Sequence, residues 1–286
     1  MYNLRYHIAS LVAVFIALSV GLLLGTVVAE RGMITDQTGE LVADLQARFD
    51  EISAQNAELE AGLARDRAFA EAAVIPLTAG QLEGRNIAIV ASTGRVDGVS
   101  AVADAISSAG GTSFTVTLEQ TALGLYETEP EGLAGLLQLQ GVDIAAPGPA
   151  LEQQVSDALV AEWRAGADQP YTQLLSSTGR LSIESSASTA TVDAVVVMGS
   201  DEGGCDPFAL ALGKSMRATG GVALGAEATP AEGGCASVCA AEGLSAVDHM
   251  STAQGRFSLV WILAGRAEGY FGIGTGAETF YPPLAP

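Results

Sequence analysis

From Ile8 to Val28 the chain reads IASLVAVFIALSVGLLLGTVV, 21 consecutive residues without a charged side chain. At about 1.5 Å per helical residue the run is roughly 31 Å long, one hydrocarbon core, and in lipid only a helix or a closed barrel satisfies its own backbone polar groups. It predicts a transmembrane helix, with residues 8–28 in contact with the lipid bilayer. Arg5, His7 and the amino terminus precede the run without an acid, whereas Glu30, Arg31, Asp36 and Glu40 follow it. That asymmetry predicts a single pass through the cell membrane with the amino terminus cytoplasmic and the bulk of the chain extracytoplasmic. The alternative is a signal peptide cleaved after Val27-Val28-Ala29, although the apolar core of such peptides spans only about 7–15 residues.

The whole chain carries 13 Lys+Arg against 33 Asp+Glu, a formal charge of -20. Arg5 is the only charged side chain before Glu30, so residues 30–286 hold 33 acids against 12 bases. Binding to a phosphate backbone needs clustered cations, and this chain has one lysine, Lys214, and scattered arginines. The balance disfavours nucleic acid, and no nucleic-acid partner is expected.

Ala9, Ala13, Ala17, Gly21 and Gly25 recur every fourth residue, and Gly21-Leu-Leu-Leu-Gly25 is a G-x-x-x-G face on which two membrane helices approach closely. Membrane helices are rich in such small residues in any case. Beyond the span a second apolar stripe appears. With Val42 at heptad position a, the a positions are Val42, Phe49, Asn56 and Leu63, and the d positions are Leu45, Ile52 and Leu59. This is a period-3.5 seam, and a polar Asn56 at an interior a position fixes register at some cost in stability. The expectation is a coiled-coil stalk over 33–75 forming a parallel homodimer; a lone amphipathic helix packed on its own domain is the alternative. Gly32 loosens the joint between anchor and stalk. The helix should stop near Ile75, ahead of Pro76.

The chain thus divides into a cytoplasmic tip and anchor over 1–29, a stalk over 33–75, and an extracytoplasmic domain over 84–286. In the last, two β-loop-α-β units follow one layout. One runs from the strand Arg85–Ser92 through a helix containing Val99, Val102 and Ile106 to the strand Ser113–Leu118; the other runs from Asp193–Ser200 through Phe208–Ala218 to Val222–Gly225. Helical stretches at 151–164 and 171–178 lie between them, and a fifth strand is expected at 244–247. Near-continuous apolar strands joined by helices predict an α/β fold, a doubly wound (Rossmann-like), mostly parallel sheet covered on both faces.

Such a sheet raises the question of a nucleotide. The loop Ser92–Gly98 lacks G-x-G-x-x-G, although Glu119 ends the second strand where a ribose-binding acid would stand. Gly213-Lys214-Ser215 ends like a P-loop, but Phe208 occupies the required earlier glycine and the stretch reads as mid-helix. Phe271-Gly-Ile-Gly-Thr-Gly276 has only ten residues after it and no helix to receive a phosphate, so it predicts a tight turn or a close backbone approach. There is no G-x-S-x-G and no H-E-x-x-H, and His249, beside Asp248, is the only imidazole past the membrane span. An enzyme is not expected.

Soft sulfur donors remain. Cys205, Cys235 and Cys239, with Met250 and His249 as further ligands, are the donor types that Cu(I) accepts. Cys235-x-x-x-Cys239 can place both sulfurs on one face of a helical turn, or form a short disulfide in an oxidising compartment, and the odd count leaves one thiol over. No cofactor motif emerges, and copper is the one metal left open. The loop at Gly233-Gly234 can bring the candidates together, but neither a second methionine cluster nor a Cys-x-x-Cys motif marks a site and the 235/239 pair can be consumed as a disulfide, so stoichiometric Cu(I) binding by the 84–286 domain is expected to be weak or absent.

The opening Leu4-Arg-Tyr-His-Ile-Ala-Ser-Leu through Gly21-Leu-Leu-Leu-Gly25, the stalk after it, and the late Val247-Asp248, Gly255-Arg256 and Gly269-Tyr-Phe-Gly272-Ile-Gly-Thr-Gly276-Ala resemble the actinobacterial MctB family. The resemblance implies a role in copper transport or homeostasis at the cell envelope. A related branch implies cell separation through a membrane or division partner, without direct copper handling. No family ligand motif maps onto the three cysteines, and a single helix cannot line a channel by itself. An envelope enzyme using the crevice of the nucleotide-type fold is the third reading.

If the seam pairs two stalks, replacing Asn56 by Leu should raise the melting temperature of an isolated 33–75 peptide while loosening its oligomeric state. Sedimentation of that peptide as a monomer at high concentration would overturn the dimer.

Overall fold

The computed structural model describes residues 4–30, 33–93, 98–119, 123–126, 132–139, 141–166, 169–184, 190–199 and 204–284. The loop glycine Gly94 and the expected hinge Gly32 lie outside them. The chain divides into two units, Met1–Asp66 and Arg67–Pro286.

The first unit is helical. Helix α1 spans Leu4–Glu30 and includes the apolar stretch Arg5–Val28, 24 residues long and long enough to cross a membrane, none of it buried. Among the described residues nothing lies within 4 Å of where a Cβ at Gly21 or Gly25 would stand. Helix α2 spans Met33–Thr78, and the stripe Val42, Leu45, Phe49, Ile52, Asn56, Leu59 and Leu63 is solvent-exposed along it. A row of large apolar side chains in water, broken only by Asn56, is what a second helix, from any source, would cover.

The helix runs past the expected stop at Ile75, through Pro76 to Thr78. Proline lacks one backbone donor, but the turn around it keeps its other bonds. The Thr78 hydroxyl donates to the Val74 carbonyl at 2.8 Å, and the Ala79 N–H donates to the Ile75 carbonyl at 3.0 Å. Glu71, in this last stretch, pairs with Arg256.

The second unit carries a seven-stranded sheet. In chain order its elements are β1 (Asn86–Ser92), α3 (Val99–Ser108), β2 (Thr112–Leu118), α4 (Leu133–Leu139), α5 (Pro149–Ala165), α6 (Pro170–Ser177), β3 (Leu181–Glu184), β4 (Ala194–Met198), α7 (Pro207–Ala218), β5 (Val222–Ala226), α8 (Cys235–Ala241), β6 (Ser245–Val247), α9 (Ala253–Leu263) and β7 (Tyr270–Phe271). The strand order is β3-β2-β1-β4-β5-β6-β7, every neighbouring pair parallel except β2 with β3. Both expected β-loop-α-β units are present as β1-α3-β2 and β4-α7-β5, and they meet where β1 pairs with β4.

The central strands are apolar because both their faces are covered. All seven residues of β1 and all five of β4 are buried. Ala88, Val90, Val195 and Val197 point into a core with Phe114, Leu159, Trp163, Phe208 and Leu212, which α5 and α7 close. Ile87, Ile89 and Val196 point the other way, against Val102, Ile106, Val260 and Leu263 of α3 and α9. This is the alternation of a pleated strand carrying two cores.

The pattern of the sequence misses α4, α9, β3 and β7. Nine of the eleven residues of α9 are buried, so it has no polar face to show a helical period. The strands β3 and β7 are four and two residues long, and β3 is an antiparallel edge.

Leu159 is fully buried in the first core, whereas Leu139 at the end of α4 is 83% exposed. Leu159→Ala should cost roughly 2–5 kcal/mol of unfolding free energy, and Leu139→Ala less than about 0.5 kcal/mol, read by urea denaturation of the full chain.

Candidate functional site

In a parallel sheet every strand leaves for its helix at the same edge, so the loops after β4, β5 and β6 lie side by side. Cys205 lies between β4 and α7. Asp206, one residue later, caps α7: one carboxylate oxygen accepts the N–H groups of Phe208 and Ala209 at 2.8 and 3.2 Å, and the other accepts the Ser92 hydroxyl at 2.9 Å. The cap anchors the start of α7 to the end of β1. Gly204 donates its N–H to the Gly233 carbonyl at 3.1 Å and bridges to Gly234, which draws Cys205 against the start of α8.

Helix α8 opens at Cys235 and presents Cys239 one turn later on the same buried face. It sits close because β5 carries Gly225, where a Cβ would stand 2.6 Å from the Cys239 sulfur. The three cysteine sulfurs lie within 4.8 Å of one another. Cys205 and Cys235 are joined as a disulfide, and the Cys239 sulfur is 3.8 Å from the first and 3.7 Å from the second. Cys235 and Cys239 are fully buried, Cys205 partly so.

Burial, reinforced by the negative charges of Glu227 and Glu242, pushes the Cys239 thiol up to about 12. It is therefore held as S–H at neutral pH, unlike a reactive cysteine. Glu227, just past β5, is itself buried. Burial raises its pKa, only partly offset by N–H donation from Ala236 and Ala231, with the charge of Asp248 adding to the rise.

His249 and Met250 are not part of this cluster. Met250 is buried in the core on the opposite face of the sheet, with Val247, Leu259 and Phe271. His249 stacks on Phe280 with ring centroids 4.6 Å apart, and its Nδ1 lies 3.2 Å from Asp248. Its Nε2 is buried and finds no partner among the described residues.

Asp248 organises the carboxyl-terminal segment. Its Oδ1 accepts the Ile273 N–H at 3.1 Å, and its Oδ2 accepts the Gly274 N–H at 2.6 Å and the Tyr270 hydroxyl at 2.8 Å. A Cβ at Gly272 or Gly274 would run into this carboxylate, so the glycine-rich tail is the close backbone approach its composition predicts. Burial pushes the Asp248 pKa upward, but the bonds from His249, Tyr270 and the Gly274 and Ile273 amides outweigh it and hold the group below the usual aspartate value. Tyr270 is raised by burial and by its bond to Asp248, which keeps its proton in place.

The nucleotide-like signals resolve as structure. Gly213, Lys214 and Ser215 lie within α7, where Lys214 pairs with Glu242 at 2.6 Å and the Ser215 hydroxyl donates to Asp157 at 2.6 Å. Glu119 follows β2 directly and donates its N–H to the Arg180 carbonyl. Sequence reasoning passed over Glu227 and Asp206, although each stands next to a strand end or a helix start followed by Pro, where a carboxylate finds free N–H groups.

A family model described as copper transport outer membrane protein, MctB, matches residues 1–282. No curated protein and no solved structure matches the chain.

A carboxylate with a depressed pKa stabilises the fold fully above its unfolded value, near 3.9, and loses that contribution as pH falls through the folded value. Asp248→Asn should therefore cost roughly 1.5–3 kcal/mol at neutral pH, the worth of charge-assisted hydrogen bonds. The gap to the wild type should narrow as pH is lowered below about 3.9. Urea unfolding across that range reads both effects.

Proposed function

The chain belongs to the MctB family, and from that premise we propose a single-pass envelope protein that acts in copper transport or homeostasis through an anchored, dimeric stalk and a sulfur-bearing α/β head. The observation that carries this reading is the gathering of three cysteine sulfurs in the head of a chain whose family is described by copper transport. The donors suit a soft metal, with copper as cargo rather than as the cofactor of an enzyme.

The remaining parts of the reading have their own supports. The Arg5/His7 flank and the acidic chain that follows favour a cytoplasmic amino terminus and an extracytoplasmic head. The exposed stripe from Val42 to Leu63, preceded by the bare Gly21/Gly25 face, favours a parallel coiled-coil homodimer. The order β3-β2-β1-β4-β5-β6 favours a Rossmann-like sheet, with the antiparallel β3 and the extra β7 as departures. The loop after β1 lacks the G-x-G-x-x-G fingerprint, so the sequence lends no support to a nucleotide role.

That same exposed stripe favours a second reading, since a partner helix covers it as well as a second copy does. On this reading the protein is a structural or regulatory element in cell separation, held to a membrane or division partner, with no copper handling of its own.

Deleting the gene should lower the copper concentration that arrests growth, and the full-length chain should restore it. Unchanged copper tolerance, together with crosslinking of the stalk to a division protein in native membranes, would replace the first reading with the second.

A further inference from the structure

The three sulfurs form a triangle with one closed edge. Two edges, Cys205 to Cys239 and Cys235 to Cys239, measure 3.8 and 3.7 Å. The third is the Cys205–Cys235 disulfide itself. A metal–thiolate bond of about 2.3 Å, repeated three times in a plane, sets the sulfurs about 4.0 Å apart. Two edges are thus already at the spacing of a three-sulfur metal centre, and opening the bond lets the remaining pair part to the same distance.

We propose that the Cys205–Cys235 disulfide is a redox lock on a three-sulfur Cu(I) site completed by Cys239, so that the head takes up copper only after reduction. This rests on the copper reading above and assigns its ligands and its regulation. Among the described residues no imidazole or carboxylate joins the three sulfurs in a candidate metal cluster. Zn(II) in structural sites takes four ligands, whereas thiolate donors in small number select Cu(I). The sequence argument against binding was the missing Cys-x-x-Cys motif and a disulfide within the 235/239 pair, but the bond joins Cys205 to Cys235 and leaves Cys239 as the free thiol. The ligands sit on two elements, the loop before α7 and α8. The pairing of Gly204 with Gly233 and Gly234, and the approach of α8 over Gly225, bring those elements together.

The chemistry balances with an external dithiol as reductant. Its thiolate attacks one sulfur of the bond, its second thiol closes the mixed disulfide on itself, and the products are the thiols of Cys205 and Cys235 and the disulfide of the reductant. Two electrons pass to the protein. Cu(I) then exchanges for thiol protons, which leave to solvent, with no further change of oxidation state. Partly exposed Cys205 is the sulfur a reductant reaches first, since Cys235 and Cys239 are sealed in the core.

The test uses the full chain in detergent, once as the disulfide form and once after phosphine reduction and removal of the phosphine under argon. Each form is titrated with Cu(I) against a chromophoric Cu(I) chelator. The reduced chain should retain one Cu(I) per chain with sulfur-only coordination by X-ray absorption, and the disulfide form none. Cys239→Ser keeps the Cys205–Cys235 bond while oxidised, so its fold can be checked by circular dichroism before reduction; it should hold no Cu(I) while oxidised and, once reduced, lose it to the chelator at least ten times more readily than the reduced wild type. Equal loss of copper from both forms of the wild type, full retention by Cys239→Ser, or uptake of Zn(II) in preference to Cu(I) would each overturn the proposal. A copper-sensitive deletion strain combined with no retained Cu(I) ends this inference and leaves the envelope reading standing; retained Cu(I) with unchanged copper tolerance does the reverse.

Discussion

Parallel pairing of β1 with β4 is the constraint from which the head follows. Two parallel strands cannot be joined by a hairpin, so each connection crosses a face of the sheet as a helix and returns. All the strand-to-helix loops then emerge along one edge. Cys205 after β4, Glu227 and Cys235 after β5, and Asp248 after β6 are neighbours for that reason alone, though up to 43 residues separate them in the chain. The same topology covers both faces of the sheet, which is why β1 and β4 are apolar throughout rather than alternating.

An acidic chain with few cations must neutralise its buried carboxylates by other means. Glu162 accepts the N–H groups of Tyr171 and Thr172 at 2.6 and 2.9 Å and the Thr172 hydroxyl at 2.8 Å. Asp206 is held by the start of α7 and by Ser92, and Asp248 by the glycine-rich tail. Two of these carboxylates also tie distant segments together, Asp206 through the Ser92 hydroxyl and Asp248 through the Ile273 and Gly274 amides, because the fold must bring those donors to them. Burying a carboxylate is costly unless its oxygens are satisfied, so each of these residues is a point where the fold admits few alternatives.

The cysteine cluster and the Asp248 cradle share one edge and differ in character. The cradle is fully hydrogen-bonded around a carboxylate held in its charged form, and it fastens the last strand to the sheet. The cluster is apolar, with a protonated thiol next to a disulfide and little around it that favours a negative charge. An apolar pocket of soft donors suits Cu(I), which displaces thiol protons as it binds.

The long apolar helix α1, the stripe of α2 and the apolar strands β1, β4 and β5 are legible in the sequence because each declares itself locally. A span of 21 uncharged residues and runs such as Ala194–Met198 need no long-range partner to be recognised. Even the close approach at Gly272 shows in its composition, though not the carboxylate it wraps. Helix α9 stayed hidden because burial on all sides erases periodicity, and helix α2 runs past Pro76 with the Thr78 hydroxyl and the Ala79 N–H closing its last turn on Val74 and Ile75. The separation of His249 and Met250 from the three cysteines was decided only by the tertiary structure. Which face of the sheet a residue after β6 occupies, and which loops abut at its edge, depend on strand order and crossover path, and these are properties of contacts between segments far apart in the chain.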